Sequence, residues 1–303
     1  MKTIGIVGKG FVGTAVFEGM KHAFDVIAYD THKGWSYSID KVDYECNHFI
    51  KWPMYHEENH ANPFMHLIVT CDVIFVCVPS PMKSDGSCDL SIADQVLGEL
   101  NAANEGLTKR VVVLKSTLVP GTTEAFNAKY ENLNICFNPE FLRERTFIED
   151  FKRQDRIIVG GPHEGTAVVK QMYERAYPAV PVTKTSSTIA ELVKYLTNCF
   201  LSVKASFANE VKQICDGLGV DYDKVIEYAL KDDRLGKSHW SVPGPDGDIG
   251  WGGKCFPKDL NALMFKAREL GVDPKVMEAA WQKNLELRQN RDWERIPGAV
   301  SKE

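Results

Sequence analysis

The run Gly8-Lys-Gly-Phe-Val-Gly13 limits the fold of this chain more than any other stretch, because of what flanks it. Thr3-Ile-Gly-Ile-Val7 before it is a short apolar run that reads as a buried strand. Ala15, Val16 and Met20 after it fall at helical spacing, and Asp25-Val-Ile-Ala-Tyr29 reads as a second strand ending on Asp30. G-x-G-x-x-G alone is a weak signal. Between a strand and a helix, with an acid closing the next strand, it marks a dinucleotide site. Gly8 permits the tight turn, Gly10 lets a pyrophosphate reach the helix N-terminus, and Gly13 lets helix pack on strand. Asp30 is placed to accept from the adenosine ribose and to repel a 2′-phosphate, so NAD is the expected cofactor over NADP.

Further strands read at Val73–Val78, Val111–Leu114, Asn134–Phe137 and Arg156–Val159, with helical patterns at Ile92–Leu100, Thr123–Lys129 and Thr166–Ala176 between them. Such alternation means a mainly parallel sheet covered by helices on both faces. Ligands of these sheets bind beyond the carboxyl ends of the strands. Three of those ends carry Pro79-Ser-Pro81, Lys115-Ser-Thr-Leu-Val-Pro-Gly121 and Asn138-Pro-Glu-Phe-Leu-Arg-Glu144, each more than a proline-terminated turn requires. The cofactor site therefore draws on Gly8, Gly10, Phe11, Val12, Gly13, Asp30 and Lys33, and on Pro79, Ser116 and Thr117 at the strand ends.

Residues 31–66 have no clear period, and Pro53 and Pro63 break up any helix there. Within them His56-Glu-Glu-Asn-His60 fits H-E-x-x-H, a zinc-peptidase pattern that works only on a long enough helix with a third ligand elsewhere. Pro63 stops any such helix and the next segment reads as a strand, so a solvated loop is expected and no metal.

Val182-Thr-Lys-Thr-Ser-Ser187 reads as a linker and cap. After it Ile189, Val193, Leu196, Phe200, Val203, Phe207, Val211 and Ile214 form a long apolar stripe, read as core, ending near Gly217 and Gly219. Glu191, Lys194, Asn198, Ser202, Ala205 and Asn209 fall nearly opposite the stripe, as a solvated face or the border of a polar pocket. A helix of about eight turns is longer than a small domain needs, which suits a homodimer through residues 188–216. Shorter helices are expected at Tyr222–Leu230, 257–269 and 273–288. The fold class is thus α/β: a Rossmann-type dinucleotide-binding domain over 1–183, then an all-helical domain with one long central helix over 184–303.

Leading into the second of those shorter helices is Gly250-Trp-Gly-Gly-Lys-Cys-Phe-Pro-Lys-Asp259. Gly247, Gly250, Gly252 and Gly253 let backbone come close to a ligand. Pro257 sits where a helix begins, which puts Cys255 at a helix N-terminus with Lys254 or Lys258 near, a setting that favours the thiolate. Asp259 follows about one turn on. A structural cysteine behind a flexible loop is the plainer reading of the same residues. The other cysteines, at 46, 71, 77, 88, 136, 199 and 215, show no C-x-x-C pair and read as reduced and mostly buried. With a formal net charge of -5 and no signal peptide or spanning run at the start, the chain is expected to be cytoplasmic, with no nucleic-acid or membrane partner.

Taken together, Lys115-Ser-Thr117, Asn138-Pro-Glu-Phe-Leu142, Glu191-Leu-Val-Lys-Tyr-Leu-Thr-Asn198, Asp233-Arg-Leu-Gly236 and Gly252-Gly-Lys-Cys-Phe-Pro-Lys-Asp259 resemble the UDP-glucose/GDP-mannose dehydrogenase family. The resemblance implies a four-electron, NAD-dependent oxidation of a nucleotide sugar's C6 alcohol to a carboxylate. It implies Cys255 as the nucleophile that forms a thiohemiacetal and then a thioester. Lys194 and Asn198 match the oxyanion holders, Asp259 a proton-transfer carboxylate, and Glu140 and Thr117 the groups around the reacting water. Phe141, Leu142, Arg143, Gly252 and Gly253 join Glu140, Lys194, Asn198 and Cys255 at the substrate, with Arg234 reaching it from a partner subunit. UDP-glucose is the expected substrate, GDP-mannose the alternative. Two departures stand out: Arg145 replaces a usual small residue, and the sequence ends at Glu303 without the family's third domain, so a silent NAD-binding module is the rival.

Overall fold

The computed structural model describes residues 1–40, 42–46 and 62–301. They form two compact units, Met1–Ser80 with Leu90–Lys194, and Pro81–Asp89 with Tyr195 onward.

The first unit is built on a nine-stranded sheet. In chain order its strands are Thr3–Val7 (β1), Asp25–Asp30 (β2), Gly34–Ile39 (β3), Val42–Cys46 (β4), Val73–Val76 (β5), Arg110–Leu114 (β6), Leu133–Phe137 (β7), Ile157–Gly160 (β8) and Val182–Thr185 (β9). The spatial order is β4-β3-β2-β1-β5-β6-β7-β8-β9, so the winding reverses beside β1, between β2 on one side and β5 on the other. From β2 through β1 and β5 to β7 all pairs are parallel, as are β8 and β9. Hairpin partners β3 and β4 run antiparallel, and β7 and β8 meet antiparallel at Phe137 and Gly160.

Side chains alternate across the sheet. Ile74, Val76, Val112 and Leu114 point into one core, with helices Pro63–Thr70 (α2), Ser91–Ala103 (α3) and Thr122–Lys129 (α4) above it. Val73, Phe75, Val111 and Val113 point into the other, under Phe11–Met20 (α1), Phe147–Lys152 (α5) and His163–Ala176 (α6). Both faces are covered, as a parallel sheet requires. The chain is therefore a Rossmann-type domain followed by a mostly helical one with a single long helix, Ser187–Leu218 (α7).

Several elements differ from the sequence reading. Residues 34–39 and 42–46 extend the sheet as a hairpin, and residues 63–70 are a helix rather than a strand. Pro63 starts that helix instead of breaking one: it occupies the first turn, where its missing N–H costs nothing, and Asn62 caps it by accepting from Phe64 N at 2.8 Å. Val182–Thr185 is a strand at the sheet edge, not a linker. The zinc-like His56–His60 pattern lies outside the described residues.

Helix α7 inverts the expected facing. Leu196 and Phe200 are 63% and 62% exposed, and Ile189, Phe207 and Ile214 are exposed too, with Val193, Val203 and Val211 half-buried. Buried instead are Glu191, Lys194, Asn198, Ser202 and Asn209. Periodicity tells which residues share a face, not which face turns inward.

In the second unit α7 is joined by Tyr222–Ala229 (α8), Phe256–Glu269 (α9) and Lys275–Leu287 (α10). Trp251, Trp281 and Trp293 pack in series with ring centroids 5.6 Å apart. Residues 81–89 belong here through Met82, which bridges both Cys88 and Val300. Among the described residues no helix is long and apolar enough to cross a membrane.

Candidate active site

In the first unit the glycine turn lies where β1 and β5 end. Gly8 has φ +89°, and a Cβ on it would stand 2.8 Å from the Cys77 carbonyl oxygen. Gly13 is more constrained: a Cβ there would meet the Gly8 carbonyl oxygen at 1.9 Å. Gly10, the N-cap of α1, faces open space, and no side chain caps the helix and no acid lies in its first turn. Phe11 and Val12 follow as the first two residues of α1, Phe11 exposed and Val12 half-buried. Asp30, at the end of β2, accepts from Lys9 N at 2.7 Å, His32 N at 2.9 Å and Lys33 N at 3.1 Å. Burial pushes its pKa up, but those three N–H groups and the Lys33 charge outweigh it, holding the carboxyl below its ordinary range. Lys33 in turn donates to the Lys9 carbonyl at 2.7 Å. Exposed Pro79, buried Ser116 and half-buried Thr117 lie past the ends of adjacent strands β5 and β6, and Ser116 Oγ donates to Val78 O at 2.6 Å. An uncapped helix N-terminus with open space over its first glycine, beside an ionised carboxylate, fits a dinucleotide's pyrophosphate and ribose.

The same unit holds a buried ion pair. Lys194 Nζ donates to Glu140 Oε1 at 2.8 Å and to the Glu140 carbonyl at 2.7 Å. Glu140 Oε2 accepts from Leu142 N at 2.7 Å. Burial raises the Glu140 pKa, but the Lys194 charge and hydrogen bond, with Leu142 N and Lys115, bring it below the ordinary value. Phe141 is half-buried, with Lys194 Nζ 5.8 Å and Arg156 4.5 Å from its ring centroid. Leu142 is half-buried, and Arg143 is exposed and paired with Asp150 at 2.6 Å.

Glu191, one turn before Lys194, is wholly buried and satisfies the head of α4: it accepts from Gly121 N at 2.7 Å, Thr123 N at 2.8 Å and Thr123 Oγ1 at 2.6 Å. Burial pushes it up to about 7 in spite of those donors.

In the second unit Cys255 is the N-cap residue of α9, with no side-chain cap bond, and is exposed. Burial alone would lower Lys258, but Asp259, Cys255 and Cys88 raise it well above the ordinary lysine value. Lys258 Nζ donates to Asp259 Oδ1 at 2.5 Å, and Asn198 Nδ2 to Asp259 Oδ2 at 2.6 Å. Asp259 is thus locked between an amide and an ammonium. Lys258, one of the two lysines expected beside Cys255, lies one turn into α9 and pairs with Asp259.

The glycine loop is held by polar groups. Asn209 Oδ1 accepts from Gly250 N at 3.0 Å, Asn284 Oδ1 from Trp251 N at 2.7 Å, and Asp292 from Gly253 N at 3.1 Å. A Cβ on Gly252 would stand 2.2 Å from Asp292 Oδ1, so the close approach demands glycine. Arg234 is exposed in the 3-10 turn Asp233–Leu235 and pairs with Asp232 at 2.5 Å. Arg145, the residue that departs from the family pattern, is exposed. Among the described residues no group of three or more His, Cys, Asp or Glu could hold a metal ion.

The UDP-glucose/GDP-mannose dehydrogenase NAD-binding domain matches residues 2–177, and the central domain of the same family matches residues 188–286. A UDP-glucose 6-dehydrogenase of Haloferax volcanii is 38% identical over 231 residues, 70% of this chain and 52% of the relative. A GDP-mannose 6-dehydrogenase of Pseudomonas aeruginosa is 30% identical over 233 residues, 73% of this chain and 52% of the relative. The structure of a UDP-glucose dehydrogenase from Pyrobaculum islandicum superposes with a TM-score of 0.78 at 27% identity, covering 94% of this chain and 68% of that one. This chain spans about half the length of the curated relatives it matches. The NAD-type glycine turn, the central helix and two domain matches in consecutive order agree: the chain binds NAD and belongs to the UDP-glucose/GDP-mannose dehydrogenase family.

Proposed function

We propose that the chain oxidises the C6 hydroxyl of a nucleotide sugar to a carboxylate in two NAD-dependent steps, with UDP-glucose as substrate and UDP-glucuronate as product. The observation that carries this reading is Cys255, an exposed thiol at the head of α9 within electrostatic reach of the Lys258 ammonium. Oxidation of an alcohol to an aldehyde needs no nucleophile, whereas oxidation onward to an acid gains one by covalent capture. The higher identity to the Haloferax volcanii protein, 38% against 30%, supports UDP-glucose over GDP-mannose.

NAD, when bound, takes one hydride from C6 at each oxidation. The chain's own groups handle the rest. Cys255 thiolate forms a bond to the aldehyde carbon, and the carbonyl oxygen takes the negative charge. Lys194 and Asn198, one turn apart on α7, hold that oxygen. Loss of the second hydride leaves a thioester. Glu140, with Thr117 ordering the water, takes a proton from it as it attacks; the C–S bond breaks and Cys255 leaves as thiolate. Asp259 assists proton transfer. Phe141, Leu142, Arg143, Gly252 and Gly253 contact the substrate, and Arg234 is supplied by a second copy. With limiting UDP-glucose, two NADH per sugar are expected. One NADH rejects the thioester route; turnover with GDP-mannose alone corrects the substrate; none with any nucleotide sugar leaves an NAD-binding module.

The exposed stripe of α7 supports a homodimer through that helix, since contiguous apolar surface of this kind is unfavourable in water. Leu196→Glu with Phe200→Glu should convert a dimer to a monomer in sedimentation velocity. A parent chain that is monomeric at tens of micromolar would remove this reading.

A further inference from the structure

Lys115 is buried at the end of β6 and is not among the groups assigned a role above. Its Nζ donates to Asn138 Oδ1 at 2.9 Å. The same oxygen accepts from Tyr173 OH at 2.6 Å, and Asn138 Nδ2 donates to Ile158 O at 2.7 Å. Asn138 is thereby pinned to β6, α6 and β8 at once, two residues before Glu140. The Lys115 ammonium also sits 5.5 Å from the Phe151 ring centroid on α5.

The charged and titratable groups that face Lys115 are few: Cys77 after β5, Tyr173 on α6, Glu140 after β7 and Lys194 on α7. Burial pushes the Cys77 thiol up to about 12 and the Tyr173 phenol well above its usual value, so both are neutral at working pH. Among the described residues Glu140 is then the one anion facing these two lysines, and it bonds Lys194 directly. Lys115 has only a neutral amide to bond, which is an expensive place for an ammonium. Burial, with Lys194 adding to it, brings Lys115 down to about 8 against the pull of Glu140.

We propose that Lys115 is a positioning residue for Glu140: through Asn138 it fixes the turn that carries the carboxylate, and its ammonium is a second, titratable cation that keeps Glu140 ionised and the cluster net positive. The kinetic part of this inference rests on the proposed oxidation; the spectroscopic part does not. When Lys115 loses its proton the cluster falls from net +1 to neutral, and an oxyanion held by Lys194 loses support.

Lys115→Met should turn over roughly tenfold more slowly than the parent at pH 7, the effect of about one pK unit. The two rates should converge above about pH 9, where position 115 is uncharged in both. Lys115→Arg should keep the neutral-pH rate and shift the alkaline fall upward. A loss of equal size at every pH, with no rescue by arginine, would reduce Lys115 to packing. The second measurement is an NMR pH titration of 13Cε-lysine-labelled full chain, with the Lys115 resonance assigned by its absence in Lys115→Met. A midpoint near pH 8 that falls further in Glu140→Gln is expected. A midpoint at the ordinary lysine value, or one that ignores Glu140→Gln, overturns the proposal even in a chain that turns over no sugar. Should Lys115→Met fail to fold, the assignment and the comparison rest on Lys115→Arg.

Discussion

Cys255→Ala should abolish acid formation, with a loss of roughly 10³-fold or more, the scale on which an enzyme loses its covalent nucleophile. Cys255 is exposed, so alanine there empties no part of the core. Thermal midpoint and NAD affinity should therefore stay at parent values while the product is lost. The residual reaction, if any, is the first oxidation alone, at no more than one NADH per sugar. Undiminished glucuronate from the alanine variant would remove Cys255 as the nucleophile. Alkylation of Cys255 should have the same effect as alanine, and Cys71, Cys77, Cys136, Cys199 and Cys215 are buried from the reagent.

Lys194→Ala should reduce turnover by roughly 10²–10³, the cost of one oxyanion contact. Unlike the cysteine change, it should also weaken the fold. Glu140 would be left buried with its charge unpaired, a loss of roughly 3–5 kcal/mol. For a chain of this size that is a fall of about 6–10 °C in thermal midpoint. The deficit has a definite pH dependence. Glu140 is more acidic in the folded chain than unfolded, so the pair's contribution is present above the ordinary carboxyl value and vanishes as pH falls through the lowered one. The midpoints of parent and variant should accordingly approach each other in acid. Adding Glu140→Gln to Lys194→Ala should restore much of the midpoint without restoring the rate. A rate loss of only a few-fold would remove Lys194 as an oxyanion contact, and a Lys194→Ala variant with parent stability would show that its pair with Glu140 adds nothing to the fold.

Most of the first unit was legible because its signals are local. A glycine turn between strand and helix, and runs such as Val111-Val-Val-Leu114, each state their own structure. The hairpin at 34–46 carried its signal too: Trp35, Ser36, Tyr37 and Ser38 alternate with period two, and Trp35 and Tyr37 enter the core. So did Asn62-Pro63, an N-cap followed by a first-turn proline, whose helix-starting sense was masked by treating proline only as a breaker. Strand β9 had no such signal, since Val182 is its sole apolar residue and edge pairing is decided by the neighbouring strand. The candidate site residues rest on motifs, which carry no sign of their partners. Nothing in sequence spacing ties Lys194 to Glu140, or Glu191 to Thr123, because those separations are closed by tertiary folding.

The carboxylate of Glu191 also fixes the register of α7. A slip by a single residue would advance the helix about 1.5 Å and rotate it about 100°, tearing Glu191 from three donors and swinging Lys194 off Glu140 together. The two contacts are one turn apart on the same rod, so neither can be satisfied in a neighbouring setting while the other is kept. The placing of Lys194 against Glu140 is therefore all-or-none, latched by a carboxyl group whose own partners all lie at the head of α4.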